Sequence, residues 1–94
     1  MRVRWTRRAG ANLDREKAYI AAFDPAAATR TATRIVEAVE HLAQHPESGR
    51  PGRVPGTREL VVSGTPYIVP YRVQGNTVQI LRVLHGARKW PTRF

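Results

Sequence analysis

The chain has 94 residues, no cysteine and a formal net charge of +9, from 16 Lys and Arg against 7 Asp and Glu. This excludes a disulfide framework and a cysteine-ligated metal, and it leaves room for one domain over residues 1–94. No stretch approaches the ~20 apolar residues of a transmembrane helix. The opening Met1-Arg-Val-Arg-Trp5-Thr6 lacks the apolar run of a signal peptide, so a soluble cytoplasmic protein without membrane contact is expected.

Arg2 to Trp5 alternates polar and apolar residues and predicts a first strand. Thr6 is a suitable N-cap for a first helix. The apolar stripe of that helix runs Ala9, Leu13, Ile20 and Phe23, with Tyr19 beside it. Glu16 falls on the stripe, so it either reaches the rim or pairs with an Arg. Asp24-Pro25 restarts the chain, with Asp as cap and Pro at the first helical position. Ala28, Ala32, Ile35, Val39 and Leu42 then make one helical seam that ends near His45-Pro46. The short connection makes the two helices an antiparallel hairpin.

Glu47 to Gly56 is a loop dense in Gly and Pro. Three strands are predicted after it: Arg58–Val62, Tyr67–Val73 and Val78–Leu84. Ser63-Gly-Thr-Pro66 joins the first two, and Gly75-Asn76 is a hairpin signal between the last two. Pro70, inside the middle strand, marks a bulge or an unpaired donor position. The fold class is α+β: an αα-hairpin packed on a small antiparallel sheet, in the order β-α-α-β-β-β.

Charge is unevenly placed. From Leu60 to Phe94 there is no Asp or Glu, while Arg72, Arg82, Arg88, Lys89 and Arg93 are all positive. Fourteen of the 16 basic residues are Arg. A GC-rich genome accounts for Arg over Lys but not for the shortage of acids. The surplus points to nucleic acid, an acidic protein partner, or both. There is no P-loop, no Gly-rich dinucleotide loop and no Ser/His/Asp spacing, and His41, His45 and His85 form no credible metal site. No cofactor is expected.

The element order and several local strings resemble the RelE/ParE superfamily of type II toxins. The strings are Val3-Arg-Trp-Thr6, Asp24-Pro-Ala-Ala27, Pro46-Glu-Ser-Gly-Arg-Pro-Gly-Arg53, Gly56-Thr-Arg-Glu-Leu60, Pro66-Tyr-Ile-Val69 and Ile80-Leu-Arg-Val-Leu-His-Gly-Ala-Arg88, followed by Trp90-Pro91. They cover nearly the whole chain. The resemblance implies a toxin neutralised by an acidic antitoxin whose C-terminal segment folds across it, in a hetero-oligomer. It also implies one of two activities. RelE-like members are ribosome-dependent endoribonucleases that cut mRNA; ParE-like members poison DNA gyrase.

RNA cleavage through the 2′-hydroxyl needs a base, an acid and positive charge aimed at the phosphate. Where RelE-like nucleases carry Lys or Arg, this chain aligns Glu59, Val61 and Ile68, none of which stabilises a phosphorane. His85 is the counter-signal, because His suits proton transfer near neutral pH; with Arg82 and Arg58 it forms the candidate nuclease set. The weight falls on a ParE-like gyrase poison that is not an enzyme. Its working surface is expected at Arg58, Arg72, Arg82, His85, Arg88, Lys89 and Trp90, with any nucleic acid contacted weakly or through gyrase. A non-toxic, antitoxin-binding homologue is the remaining alternative. Structural roles are expected for several of these groups: an Arg82–Glu59 ion pair, Trp90 as anchor of the tail, one of Tyr67 and Tyr71 in the core with the other at the rim, and Arg50 and Arg53 solvated in their loop.

Overall fold

The computed structural model describes all residues, Met1–Phe94. The chain runs β1 (Arg2–Trp5), α1 (Arg7–Ala21), α2 (Pro25–His41), β2 (Arg50–Pro51), β3 (Arg58–Val61), β4 (Tyr67–Gln74), β5 (Thr77–Ile80) and β6 (Leu84–His85). Both helices start where the caps place them. The Ala9 N–H donates to Thr6 Oγ1 at 3.1 Å, and the Ala27 N–H donates to Asp24 Oδ1 at 3.1 Å. Each contact satisfies a donor that the first helical turn leaves without a partner. Because α1 ends at Ala21, Phe23 falls off the apolar stripe. It is 77% exposed and meets Tyr19, also exposed, edge to face at 5.5 Å.

The sheet has six strands in the order β1-β5-β4-β3-β2, with β6 also paired to β4. It is mixed rather than purely antiparallel, because β1 pairs with β5 in parallel, Arg2 opposite Thr77 through Trp5 opposite Ile80. Thr6 fixes that direction. Its N–H donates to Ile80 O at 3.1 Å and its hydroxyl to Leu81 O at 3.3 Å, so the start of α1 is fastened to the end of β5. The two-residue β2 lies inside the Gly/Pro loop and extends the far edge of the sheet.

The strand expected over Val78–Leu84 is broken into β5 and β6, and the break lies opposite Pro70. Tyr71 pairs with Ile80, while Ile68 pairs with Leu84, so β5 to β6 carries one residue more than β4 over the same span. That is a bulge. The Leu81 N–H donates to Pro70 O at 3.0 Å. The same edge of Pro70 would carry its N–H, so the missing donor faces the irregular segment, where a ladder does not require it.

Side chains alternate across β4. Tyr67, Val69 and Tyr71 enter the core with Val62, Val78, Ile80 and Val83, against Ala9 of α1 and Ile35, Val39 and Leu42 at and beyond the end of α2. Trp5 is half-buried and packs against this cluster. Both tyrosines are buried, at 3% and 0% exposure, rather than one lying at the rim. Each can be buried because its hydroxyl is paired. Tyr71 donates to Pro46 O at 2.7 Å and accepts from the Gly49 N–H at 2.8 Å. Tyr67 donates to Glu16 Oε1 at 2.9 Å. No helix is long and apolar enough to cross a membrane.

Candidate functional site

Seven residues of the basic last third are the candidates, and the fold distributes them over three places. The first is where β6 turns into the tail. His85 pairs with Tyr67 across the strands, and the two rings meet edge to face at 5.6 Å. Its Nδ1 accepts from the Ala87 N–H at 3.2 Å, which puts the proton of the neutral ring on Nε2. Its carbonyl accepts from the Arg88 N–H at 3.1 Å and from Trp90 Nε1 at 3.3 Å. The Arg53 guanidinium lies 3.6 Å over the Trp90 ring. Trp90 is thus an anchor, held by a hydrogen bond on its edge and a cation on its face. Lys89 is exposed and forms no ion pair.

Arg88 closes this place onto α1. Its Nη1 is 2.8 Å from Glu16 Oε2, and Glu16 is 5% exposed. The sequence oddity of Glu16 is thereby explained: it pairs with an Arg 72 residues away, and its other oxygen serves Tyr67. The hydrogen bond to Glu16 raises the Arg88 guanidinium above its usual range. Burial first, and then the bond to Glu16, pushes the Tyr67 phenol up to about 12. At neutral pH the tyrosine stays protonated and serves as a fixed donor.

The second place is the loop edge. Arg58 donates to Gly49 O at 2.8 Å and to Glu47 O at 3.3 Å, so it fastens the loop after α2. Arg72 is directly opposite Gln79, on the sheet face away from the helices, and its Nε is buried without a partner. Arg58 and Arg72 line a cleft of about 270 Å³ with Pro51, Gly56, Thr57 and Val73.

Glu59 lies on that same far face, opposite Pro70. It does not pair with Arg82. Register sets it beside β2, and Arg50 and Arg53 reach it instead, at 3.0 and 3.2 Å. The Arg53 N–H adds a third contact at 2.8 Å. Arg50 and Arg53 are therefore engaged rather than free in their loop. Burial works to raise the Glu59 carboxyl, but the Arg53 N–H, the Arg50 side chain and both charges outweigh it and hold it below the usual 4.5.

The third place belongs to Arg82. It lies in the break between β5 and β6 and faces α1, where Arg7, Arg8, Ala11, Asn12 and Arg15 complete a groove of about 530 Å³. Burial and the nearby Arg8 and Arg15 depress its guanidinium. The three arginines of α1 were not singled out from sequence. A helical wheel shows their spacing, but only the fold shows that Arg82 joins them.

Arg58, Arg82 and His85 therefore have separate sets of neighbours: loop carbonyls, α1 arginines, and Tyr67 with the tail. No group of three or more His, Cys, Asp or Glu side chains could hold a metal ion.

A family model described as the ParE toxin of the type II toxin-antitoxin system parDE matches residues 3–90. A Sinorhizobium fredii protein named as a toxin, Y4kP, is 52% identical over 90 residues, covering 96% of this chain and 93% of that protein. Toxin RelE2 of Caulobacter vibrioides is 44% identical over 86 residues, with 92% and 96% covered. Among solved structures, a chromosomal ParDE TA system from P. aeruginosa superimposes with a TM-score of 0.81 at 37% identity, covering 88% of this chain and 92% of that one.

Proposed function

The chain belongs to the ParE toxin family of type II toxin–antitoxin systems, and from that premise we propose that it arrests growth by binding DNA gyrase and trapping it with cleaved DNA, not by cutting RNA. The observation that carries the reading is the surroundings of His85. A nuclease built on His85 needs free positive charge and a second proton carrier beside it. The adjacent Arg88 is bound to Glu16, and the adjacent Tyr67 is held as a donor to that same carboxylate. Arg58 is committed to loop carbonyls and Arg82 lies against α1. Val61 and Ile68 lie opposite each other on β3 and β4 and Glu59 is ion-paired, where the resemblance to RelE-like nucleases implies cations.

The partner that neutralises the toxin is an acidic antitoxin. A cleft of about 390 Å³ between the helices, lined by Leu13, Ala32 and Val36 together with Lys17 and the acidic Asp14, Glu37 and Glu40, offers apolar anchors to a segment that orders on binding. The exposed Tyr19 and Phe23 extend this apolar ground to the tip of the hairpin. β1 and β2 are open sheet edges that can accept a strand. The +9 charge of the whole chain favours fast association with an acidic partner.

The test is a supercoiling assay with purified protein, gyrase, relaxed plasmid and ATP, with and without antitoxin. The expected result is loss of supercoiling with accumulation of linear, gyrase-linked DNA, relieved by antitoxin. Normal supercoiling at a dose that stops growth overturns the gyrase reading and directs the search to ribosome-bound mRNA.

A further inference from the structure

Four guanidiniums share one groove with no counter-charge. Arg7, Arg8 and Arg15 come from α1 and Arg82 from the break between β5 and β6. None of the four forms an ion pair; the three pairs of the protein use Arg50, Arg53 and Arg88. None of their side chains donates a hydrogen bond within the protein, whereas Arg34, Arg50, Arg58 and Arg88 all do. The arrangement is unfavourable to the free protein. Arg7 and Arg8 fill the first turn of α1, which holds no acidic residue, and positive charge there opposes the helix dipole. Burial first, and then the neighbouring Arg8 and Arg15, depress the Arg82 guanidinium. Asn12, 5% exposed on the groove floor, accepts the Val83 N–H at its Oδ1. What it has left to offer a ligand is the donor Nδ2.

We infer that the groove of Arg7, Arg8, Arg15 and Arg82 is a binding site for the phosphodiester backbone of duplex DNA. Every polar group it can present is a donor, and four are cationic, which fits a run of phosphates. An acidic peptide that folds on binding needs apolar anchors, and the sole apolar side chain here is Ala11; the cleft between the helices offers the anchors this groove lacks. A single strand is held by stacking its bases on aromatic rings, and none of the six lining residues is aromatic. The Phe94 ring lies 5.7 Å from the Arg82 guanidinium but does not line the groove. Arg8 and Arg15 are seven residues apart on α1, about 10 Å along its axis, so the cations extend along the groove instead of converging on one point. Gyrase plays no part in this inference, and the toxin alone tests it.

The experiment measures fluorescence anisotropy of a labelled 20-base-pair duplex with the full chain, as a function of salt. The wild type is expected to bind weakly, with log K falling against log salt at a slope of about −3 to −4 as four phosphate contacts release counterions. An Arg8→Gln/Arg15→Gln variant is expected to bind at least tenfold more weakly at low salt and to lose about 2 from the slope. Arg30→Gln/Arg34→Gln removes the same charge from exposed positions of α2 and is the control; it should change binding less than threefold. The groove variant should melt at or above the wild-type temperature, which separates lost binding from lost fold. Equal weakening by the two variants reduces the effect to net charge and overturns the site. So does tighter groove-dependent binding of a single-stranded RNA or of a polyglutamate peptide than of the duplex.

Discussion

Glu16 and Arg88 join the first helix to the tail across 72 positions of sequence, with 2.8 Å between carboxylate and guanidinium. The two ends of this bond are unequal. Glu16 is nearly buried and also holds the Tyr67 hydroxyl, whereas the Arg88 side chain is about half exposed. Glu16→Ala therefore removes two hydrogen bonds to a charged group and is expected to cost about 2–3 kcal/mol. That is roughly 10–20 °C in melting temperature for a domain of this size. Arg88→Ala leaves Glu16 bonded to Tyr67 and removes a solvent-screened partner, for about 1 kcal/mol. Thermal melts followed by circular dichroism decide it; a larger loss for Arg88→Ala than for Glu16→Ala would refute this account.

Tyr67 makes the same network visible at alkaline pH. Its folded pKa, about 12, lies above the ordinary value of 10.0. A group raised on folding contributes stability that is complete below its unfolded pKa and is lost as pH rises through the folded one. Unfolding free energy should thus fall between pH 10 and 12. Tyr67→Phe, which cannot ionise, should flatten that decline while lowering stability at pH 7. Urea titrations at several pH values measure both.

Glu59 gives the opposite sign at the acid end. Arg50 and Arg53 hold its carboxyl below 4.5 in the folded protein. Its contribution is present above that ordinary value and is lost as pH falls below it through the folded pKa. Glu59→Gln should be less stable than wild type at pH 7, and the gap should close as the pH drops below about 4. A gap independent of pH would mean that packing, not charge, is what Glu59 supplies.

Tyr71 depends on a glycine for its place. A Cβ at Gly49 would come within 2.5 Å of the Tyr71 hydroxyl and 2.6 Å of its ring. Gly49→Ala must displace the ring from Pro46 O and the Gly49 N–H, so overpacking adds to the loss of hydrogen bonds. The expected cost is about 2–4 kcal/mol. Gly10→Ala, where an added methyl meets nothing within 4 Å, is the counterpart. It should stabilise α1 by up to about 1 kcal/mol.

These sites show where sequence was informative and where it fell short. Local rules sufficed for the caps Thr6 and Asp24, for the seam of α2, and for Pro70, whose missing N–H has an effect on any sheet it enters. Glu16 was legible as an anomaly, because an acid on an apolar stripe has to be neutralised by something. The parallel β1 was not legible, since nothing in Arg2–Trp5 says which strand it will join. The Glu59 network was hidden for a related reason: Gly and Pro announce that residues 47–56 turn, but not that the turn carries Arg50 and Arg53 back onto β3. The arginine groove needs Arg82 to land beside α1, and that depends on the bulge opposite Pro70. Non-local register decides each of these.

His85 is the residue at which the proposed gyrase reading and its nuclease alternative make different predictions. Its Nδ1 is occupied by the Ala87 N–H, and the neighbouring tyrosine and arginine are both spent on Glu16. On the proposed reading, the ring supports the turn into the tail through its bond to the Ala87 N–H. His85→Asn preserves an acceptor for the Ala87 N–H but cannot act as an acid or base near pH 7. It is expected to retain growth arrest within about threefold of wild type when expressed from a titratable promoter without antitoxin. Loss of a catalytic acid or base typically costs 10²–10⁴ in rate, so a nuclease would lose its toxicity in the same variant. Circular dichroism of the purified protein shows whether any loss reflects folding. A folded, non-toxic His85→Asn protein would reverse the assignment of binding over catalysis.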